Sequence, residues 1–186
     1  MLQKKKTIWI QLLAMMVMTA IMAPALLGCS TVVKDTEDRG PIAALPMELV
    51  VKITDLDGDD WDWISSLPVP EYGAEHAYQV EFSRKIKTSN GEERVFCKIA
   101  VYSSEDEANT AFASVKERST PSARPDIGEE AFIDTGPVIN GTGLVFRKFN
   151  AVAWIWVNHE YEGDILQLGN VINERISHNI SERETS

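Results

Sequence analysis

The chain has 186 residues, of which 44% are hydrophobic and 25% charged. These proportions are typical of a globular protein and exclude a disordered or fibrous one. It carries 18 basic and 28 acidic residues, and three of the basic residues (positions 4–6) precede position 29, so the remainder has 15 basic against 28 acidic residues, a formal net charge of −13. Sequence-independent nucleic-acid binding and a polybasic membrane-binding face both need positive surfaces, so we expect neither.

The first 28 residues have the parts of a secretory signal. Lysines 4–6 are followed by an apolar run from Thr7 to Gly28. The run ends in Leu26-Leu27-Gly28-Cys29, which resembles the lipobox of bacterial lipoproteins. This resemblance implies cleavage between Gly28 and Cys29 and attachment of diacylglycerol to the Cys29 thiol.

An uncleaved transmembrane anchor is the alternative, because the apolar run is about long enough to span a bilayer. Both interpretations place residues 30–186 outside the cytoplasm. In a bacterium with two membranes, Ser30 after the cysteine implies sorting to the outer membrane or cell surface. In a bacterium with one membrane, the anchor lies in the cytoplasmic membrane.

Residues 29–46 lack a period of 2 or 3.6, so they are predicted to form a flexible tether. A single domain is predicted over residues 47–186. Alternating apolar residues indicate a first strand over Leu49–Ile53, and prolines and glycine indicate a loop over residues 64–75.

A hairpin follows, with apolar faces in strands around Tyr78–Phe82 and Val95–Val101 and a turn at Asn90-Gly91. Ser103 or Ser104 is predicted to cap a helix that ends near Arg118, with an apolar stripe of four residues: Ala108, Ala111, Phe112 and Val115. Three strands (130–134, 143–149 and 151–158) and a final helix over 164–180 complete the chain. Residues 151–157 are apolar on both faces, which indicates a central strand that is covered on both sides.

The order of strand, hairpin, helix, three strands and helix predicts an α+β fold, with an antiparallel sheet of about five to six strands covered by two helices. It resembles the PsbP-like fold, whose members include lipid-anchored photosynthetic accessory proteins and the extracellular sensor domains of some bacterial kinases. Residues 127–132 and 145–148 look like a recurring feature of small secreted lipoproteins of this kind. The resemblance implies no catalytic residues.

An acidic turn surrounds Gly58 and is a weak candidate calcium site, since Ca²⁺ prefers several oxygen ligands. Its carboxylates include Asp55, Asp57 and Asp59. The spacing does not fit an EF-hand, because the glycine is fourth and Ser66 stands where the final glutamate belongs. The alternative is a solvated turn in an acidic protein.

Two tryptophan pairs have spacing of two residues, which places each pair on one face of an extended segment. Trp154 and Trp156 are expected in the core because their whole strand is apolar. Trp61 and Trp63 lie beside the acidic turn and are the candidate ligand-binding or partner-binding surface, because exposed tryptophans combine an apolar ring with a polar N–H.

The remaining candidates for chemistry are weak. Cys97 lies on the apolar face of a predicted strand, so a buried structural thiol is expected. His159-Glu160 begins like a zinc-protease motif, but Gly163 stands where the second histidine belongs. We therefore expect no cofactor.

The sequence predicts a membrane-anchored extracytoplasmic lipoprotein whose domain is a non-catalytic binding or accessory module. Its expected partners are the membrane, through the lipid on Cys29, and a protein or small ligand. Two alternatives stay open: an envelope hydrolase with an unrecognised site, for instance His76 with a carboxylate, or a calcium-stabilised surface domain.

Overall fold

In a computed structural model of the chain, the structure describes residues 42, 44–86, 91–135 and 140–184. The predicted signal segment, Gly28, Cys29 and the tether up to residue 41 lie outside the described residues. Among the helices that the structure describes, none combines the length and the apolar character needed to cross a membrane.

Seven antiparallel strands form one sheet in the spatial order β1-β2-β3-β7-β6-β5-β4. The strands are β1 Asp62–Pro68, β2 Ala74–Lys85, β3 Glu92–Tyr102, β4 Pro121–Ala123, β5 Glu130–Asp134, β6 Gly141–Lys148 and β7 Ala151–Asn158. The helices are α1 Pro46–Leu49, α2 Glu105–Arg118 and α3 Ile165–Glu184. The predicted α+β class is confirmed, with a larger sheet than expected and a third, short helix.

Helices cover both faces of the sheet at its centre, where β7 lies between β3 and β6. Ile155 of β7 packs in one core cluster with three residues of the predicted stripe of α3, namely Leu168, Ile172 and Ile176. Val152 belongs to a second cluster with Ala108 and Phe112 of α2. The apolar character of both faces of this strand therefore follows from its central position, as the sequence predicted.

The predicted cap of α2 is confirmed in detail. The Ser104 hydroxyl accepts a hydrogen bond from the Glu107 backbone N–H at 3.3 Å. The Glu107 carboxylate accepts one from the Ser103 hydroxyl at 2.5 Å. Because the Ser104 bond satisfies a backbone N–H that the first helical turn leaves unpaired, it fixes where the helix begins. The helix ends at Arg118, before Pro121, also as predicted.

The predicted first strand over Leu49–Ile53 is wrong. This segment contains the end of α1 and the start of a 3₁₀ turn over Ile53–Asp55. Leu49, Val50 and Val51 are all buried, so consecutive side chains are covered and the apparent alternation does not reflect two faces.

The strand that borders the hairpin is β1, which begins just before the segment predicted as a loop and continues into it. β1 is mostly exposed and has a β-bulge between Trp63 and Ser65. An edge strand that is bulged and carries Pro68 lacks the alternation by which buried strands are recognised. The very short β4 is a second strand that the sequence analysis missed.

Two residues that precede position 47 pack on the core. Ile42 is 3% exposed, and its backbone N–H donates to the Asn150 side chain at 3.0 Å. Pro46 is buried as well. The end of the predicted tether is therefore part of the core, because its apolar residues cover the face of the sheet that α3 covers.

The two segments singled out by the resemblance are adjacent in the sheet, where β5 pairs with β6. The Glu129 backbone N–H donates to the Arg147 carbonyl at 2.9 Å, and their side chains form an ion pair. Gly128 has φ +66°, and a Cβ there would lie 2.5 Å from the Arg147 carbonyl oxygen. Glycine is therefore required at this position by both its backbone conformation and the close approach of β6.

Candidate functional site

The acidic turn is tied to the core at both ends. Asp55 forms a two-pronged ion pair with Arg175, with N–O distances of 2.8 and 2.7 Å. The same carboxylate accepts the Lys52 backbone N–H at 2.7 Å. Asp55 is thus engaged in joining the N-terminal segment to α3.

Arg84 holds the other end of the turn. Its guanidinium donates to the Asp57 carbonyl at 2.8 Å and lies 4.7 Å from the centre of the Trp61 ring. It also pairs with the buried Glu93 at 2.6 Å. Gly58, with φ +83°, lies against this guanidinium where a Cβ would clash.

These contacts separate the aspartates that the sequence suggested as calcium ligands. Asp55 faces Arg175, whereas Asp57 contributes its carbonyl to Arg84 and Trp61, and Asp59 is exposed. Within the described parts of the chain, no group of three or more His, Cys, Asp or Glu residues could hold a metal ion.

The candidate tryptophan pair does not form one surface. Trp61 is 7% exposed, and its indole N–H donates to the Asp57 carbonyl at 3.0 Å. Trp63 is 60% exposed and packs its ring on Phe82, with centroids 5.9 Å apart. Trp61 therefore anchors the acidic turn, and Trp63 alone stays on the surface.

A groove of about 440 Å³ lies on the opposite side of the sheet, between α2 and the loop that joins β1 to β2. The loop contributes Glu71, Tyr72 and Gly73, and α2 contributes one side from Asp106 to Arg118. Tyr102, at the end of β3, lies between them. The groove has the size of a small-molecule pocket, which is roughly 300–1,000 Å³.

Tyr102 is the unusual side chain in this groove. It is 1% exposed, and its hydroxyl has no hydrogen-bond partner among the residues that the structure describes. Burial raises the pKa of its phenol, and the negative charge of Glu71 raises that pKa further. The phenol is therefore neutral and retains an unused hydrogen-bonding group.

Glu71 is held by Lys98, whose ammonium lies 2.5 Å from the carboxylate. The same ammonium lies 4.2 Å from the centre of the Trp154 ring. Because Glu71 precedes Tyr72 and Gly73, this ion pair fixes the loop beside Tyr102. Trp154 is partly buried and packs against the core cluster beneath α2, so the sequence prediction of a core position holds in part.

Sequence reasoning missed the groove, although one signal was present. Of the four residues in the predicted apolar stripe of α2, Ala108 and Phe112 are buried against the sheet. Ala111 and Val115 are half-buried and line the groove. The apolar stripe of α2 is thus wider than the part that packs on the sheet. Its remaining residues, Ala111 and Val115, form an apolar wall of the groove.

The histidines lie elsewhere. His76, His159 and His178 are all exposed, and none of them lines the groove. The groove brings together phenols and carboxylates, with the Arg118 guanidinium at its far end. The pair of His76 with a carboxylate, suggested for a hydrolase, is not part of it.

Comparison with solved structures identifies a related fold. The extracellular domain of PknH from Mycobacterium tuberculosis superposes with a TM-score of 0.52, at 8% sequence identity, over 70% of this chain and 93% of that chain. The two share a fold. This agrees with the resemblance to kinase extracellular domains and does not extend to the lipobox or to PsbP. No protein-family model and no curated protein matches the chain.

Cys97 is buried on the face covered by α3, as predicted, and burial raises the pKa of its thiol to about 12. Because the thiolate is the reactive form, we expect Ellman's reagent to label folded protein more than about a hundredfold more slowly than unfolded protein. The rates should be compared in a Cys29→Ala variant, with and without guanidinium chloride. Equal rates in the two conditions would contradict the buried position.

Proposed function

We propose that this chain is a lipid-anchored extracytoplasmic domain that binds a small ligand without transforming it. The Leu26–Cys29 motif supports the anchor, and the shared fold with an extracellular domain supports the location. The observation that carries the binding role is the groove beside α2, which is lined by Tyr102, whose buried hydroxyl has no hydrogen-bond partner among the described residues.

The composition of the groove favours binding over catalysis. Its neutral phenol and apolar walls provide contact area and a hydrogen bond. Covalent catalysis by a hydroxyl nucleophile needs an adjacent base, and a histidine most often serves in proton transfer. The three histidines of the chain lie outside the groove.

Anchoring is tested by labelling with radioactive palmitate in a bacterial host. The native chain is expected to incorporate label and to sediment with membranes, whereas Cys29→Ala is expected to incorporate none. Cys97→Ala is the matched control, since it removes the other cysteine of the chain and should keep the label. Label retained by Cys29→Ala, or absent from the native chain, would contradict the proposal.

A further inference from the structure

We infer that the groove beside α2 selects a small organic cation, an amine attached to an apolar or aromatic body. This inference rests on the proposed binding function and adds the chemical class of the ligand. It is carried by three features of the groove: the placement of its charges, the free hydroxyl of Tyr102 and the exposed ring of Tyr72.

Charge is distributed unevenly along the groove. Glu71, Asp106 and Glu107 lie at one end, near the start of α2. Arg118 lies at the other end, about 16 Å away from Glu107 by the rise of an α-helix. The acidic end therefore carries more negative than positive charge, and the strongly acidic chain adds to the attraction of cations towards it.

Tyr102 lines the groove beside the loop that carries Glu71, and its hydroxyl is buried without a partner among the described residues. Gly73, two residues after Glu71, lies against the Tyr102 ring, so the carboxylate and the phenol belong to the same part of the groove. A buried hydroxyl without a partner is costly, so a ligand that supplies a hydrogen bond is favoured there. An ammonium can donate one N–H to the phenol oxygen while Asp106 and Glu107 supply negative charge at this end of the groove.

Tyr72 supplies a surface for the body of the ligand. Its side chain is 97% exposed at the edge of the groove, and Ala111 and Val115 form the opposite wall. An aromatic face attracts cations as well as apolar groups, which suits an amine with a flat body. Gly73 approaches the ring of Tyr102, since a Cβ there would lie 3.9 Å from it. The hydroxyl itself is buried, so a ligand reaches it only when the groove wall at Gly73 moves outward while Glu71 stays held by Lys98.

The protein already holds one ammonium group by the same chemistry. Lys98 places its amine between the Glu71 carboxylate, at 2.5 Å, and the ring of Trp154, at 4.2 Å. A carboxylate combined with an aromatic face is thus an ammonium-binding arrangement at this position. Because Lys98 already neutralises Glu71, a ligand amine would draw its balancing charge from Asp106 and Glu107.

Three probes of similar shape test the inference: 2-phenylethylamine, 2-phenylethanol and phenylacetate, which are cationic, neutral and anionic. Each is titrated into the full chain in detergent micelles by isothermal titration calorimetry. We expect the amine to bind at least about tenfold more tightly than the other two, since a charge-assisted hydrogen bond is about twice as strong as a neutral one. No measurable binding of the amine would overturn the inference.

Variants locate the binding. Asp106→Asn and Tyr102→Phe are each expected to weaken binding of the amine. Glu48→Gln is the matched control, because it neutralises an exposed carboxylate on α1 outside the groove, and it should leave binding unchanged. Tyr72→Ala should weaken all binding in the groove.

If the alcohol or phenylacetate binds as tightly as the amine, and Tyr72→Ala abolishes that binding, the cation preference is overturned while the proposed binding function stands. If none of the three probes binds, both fail.

Discussion

Replacement of Arg175 by alanine is expected to lower the free energy of unfolding by about 3–5 kcal/mol. This is the usual cost of removing one partner of a buried ion pair, because the other charge is then left uncompensated. The Asp55 side chain is 10% exposed, so its charge would be left with little access to water. The Val50 carbonyl, which accepts from Arg175 at 2.8 Å, would also lose its partner. Urea denaturation followed by tryptophan fluorescence measures the change.

Two further variants test the cause of this effect. Glu174→Ala, an exposed position on the same helix, should change the free energy of unfolding by less than about 0.5 kcal/mol. The double variant Asp55→Ala/Arg175→Ala should be less destabilised than the sum of the two single variants, because neither charge is left alone. Additive effects of the two substitutions would show that the pair is not coupled.

Asn150→Ala is expected to lower the free energy of unfolding by about 2–4 kcal/mol, since each buried polar group left without a partner costs about 1–3 kcal/mol. Asn150 is 1% exposed, and its amide donates to the Tyr102 carbonyl at 2.7 Å and to the Ile42 carbonyl at 3.3 Å. Its oxygen accepts the Ile42 N–H at 3.0 Å.

The matched control is Asn170→Ala, which removes an exposed amide on α3 and should leave stability within about 0.5 kcal/mol of the native chain. Thermal unfolding followed by circular dichroism compares the two. A loss at Asn150 no larger than that at Asn170 would show that the buried hydrogen bonds do not stabilise the fold.

The sequence predicted best those elements whose burial repeats with a regular period. α2, α3 and the hairpin follow from periodic apolar residues, with start signals such as Ser104, and β7 follows from a continuous apolar run. β1 could not be predicted in this way, because an exposed edge strand has no buried face and its bulge interrupts the alternation. The strand predicted over Leu49–Ile53 was wrong for the opposite reason, because consecutive side chains are buried there.

The candidate sites show a similar limit. The spacing of Trp61 and Trp63 implied a shared face, but β1 begins only at Asp62, so Trp61 belongs to the preceding turn. Its burial depends on Arg84, which comes from β2 and lies far from it in the sequence. The groove likewise combines a loop, a strand end and a helix. Contacts between distant segments decide these features, and local patterns do not contain them.

The bonds from Asn150 to Ile42 have a mechanical consequence. Ile42 precedes every described helix and strand, so tension applied to it reaches the sheet through Asn150, at the turn between β6 and β7. The next contact that carries this tension is the ion pair between Asp55 and Arg175, which joins the N-terminal segment to α3. When the domain is pulled from its N-terminal side, we therefore expect the Ile42–Asn150 and Asp55–Arg175 contacts to break first, while the seven strands are still paired.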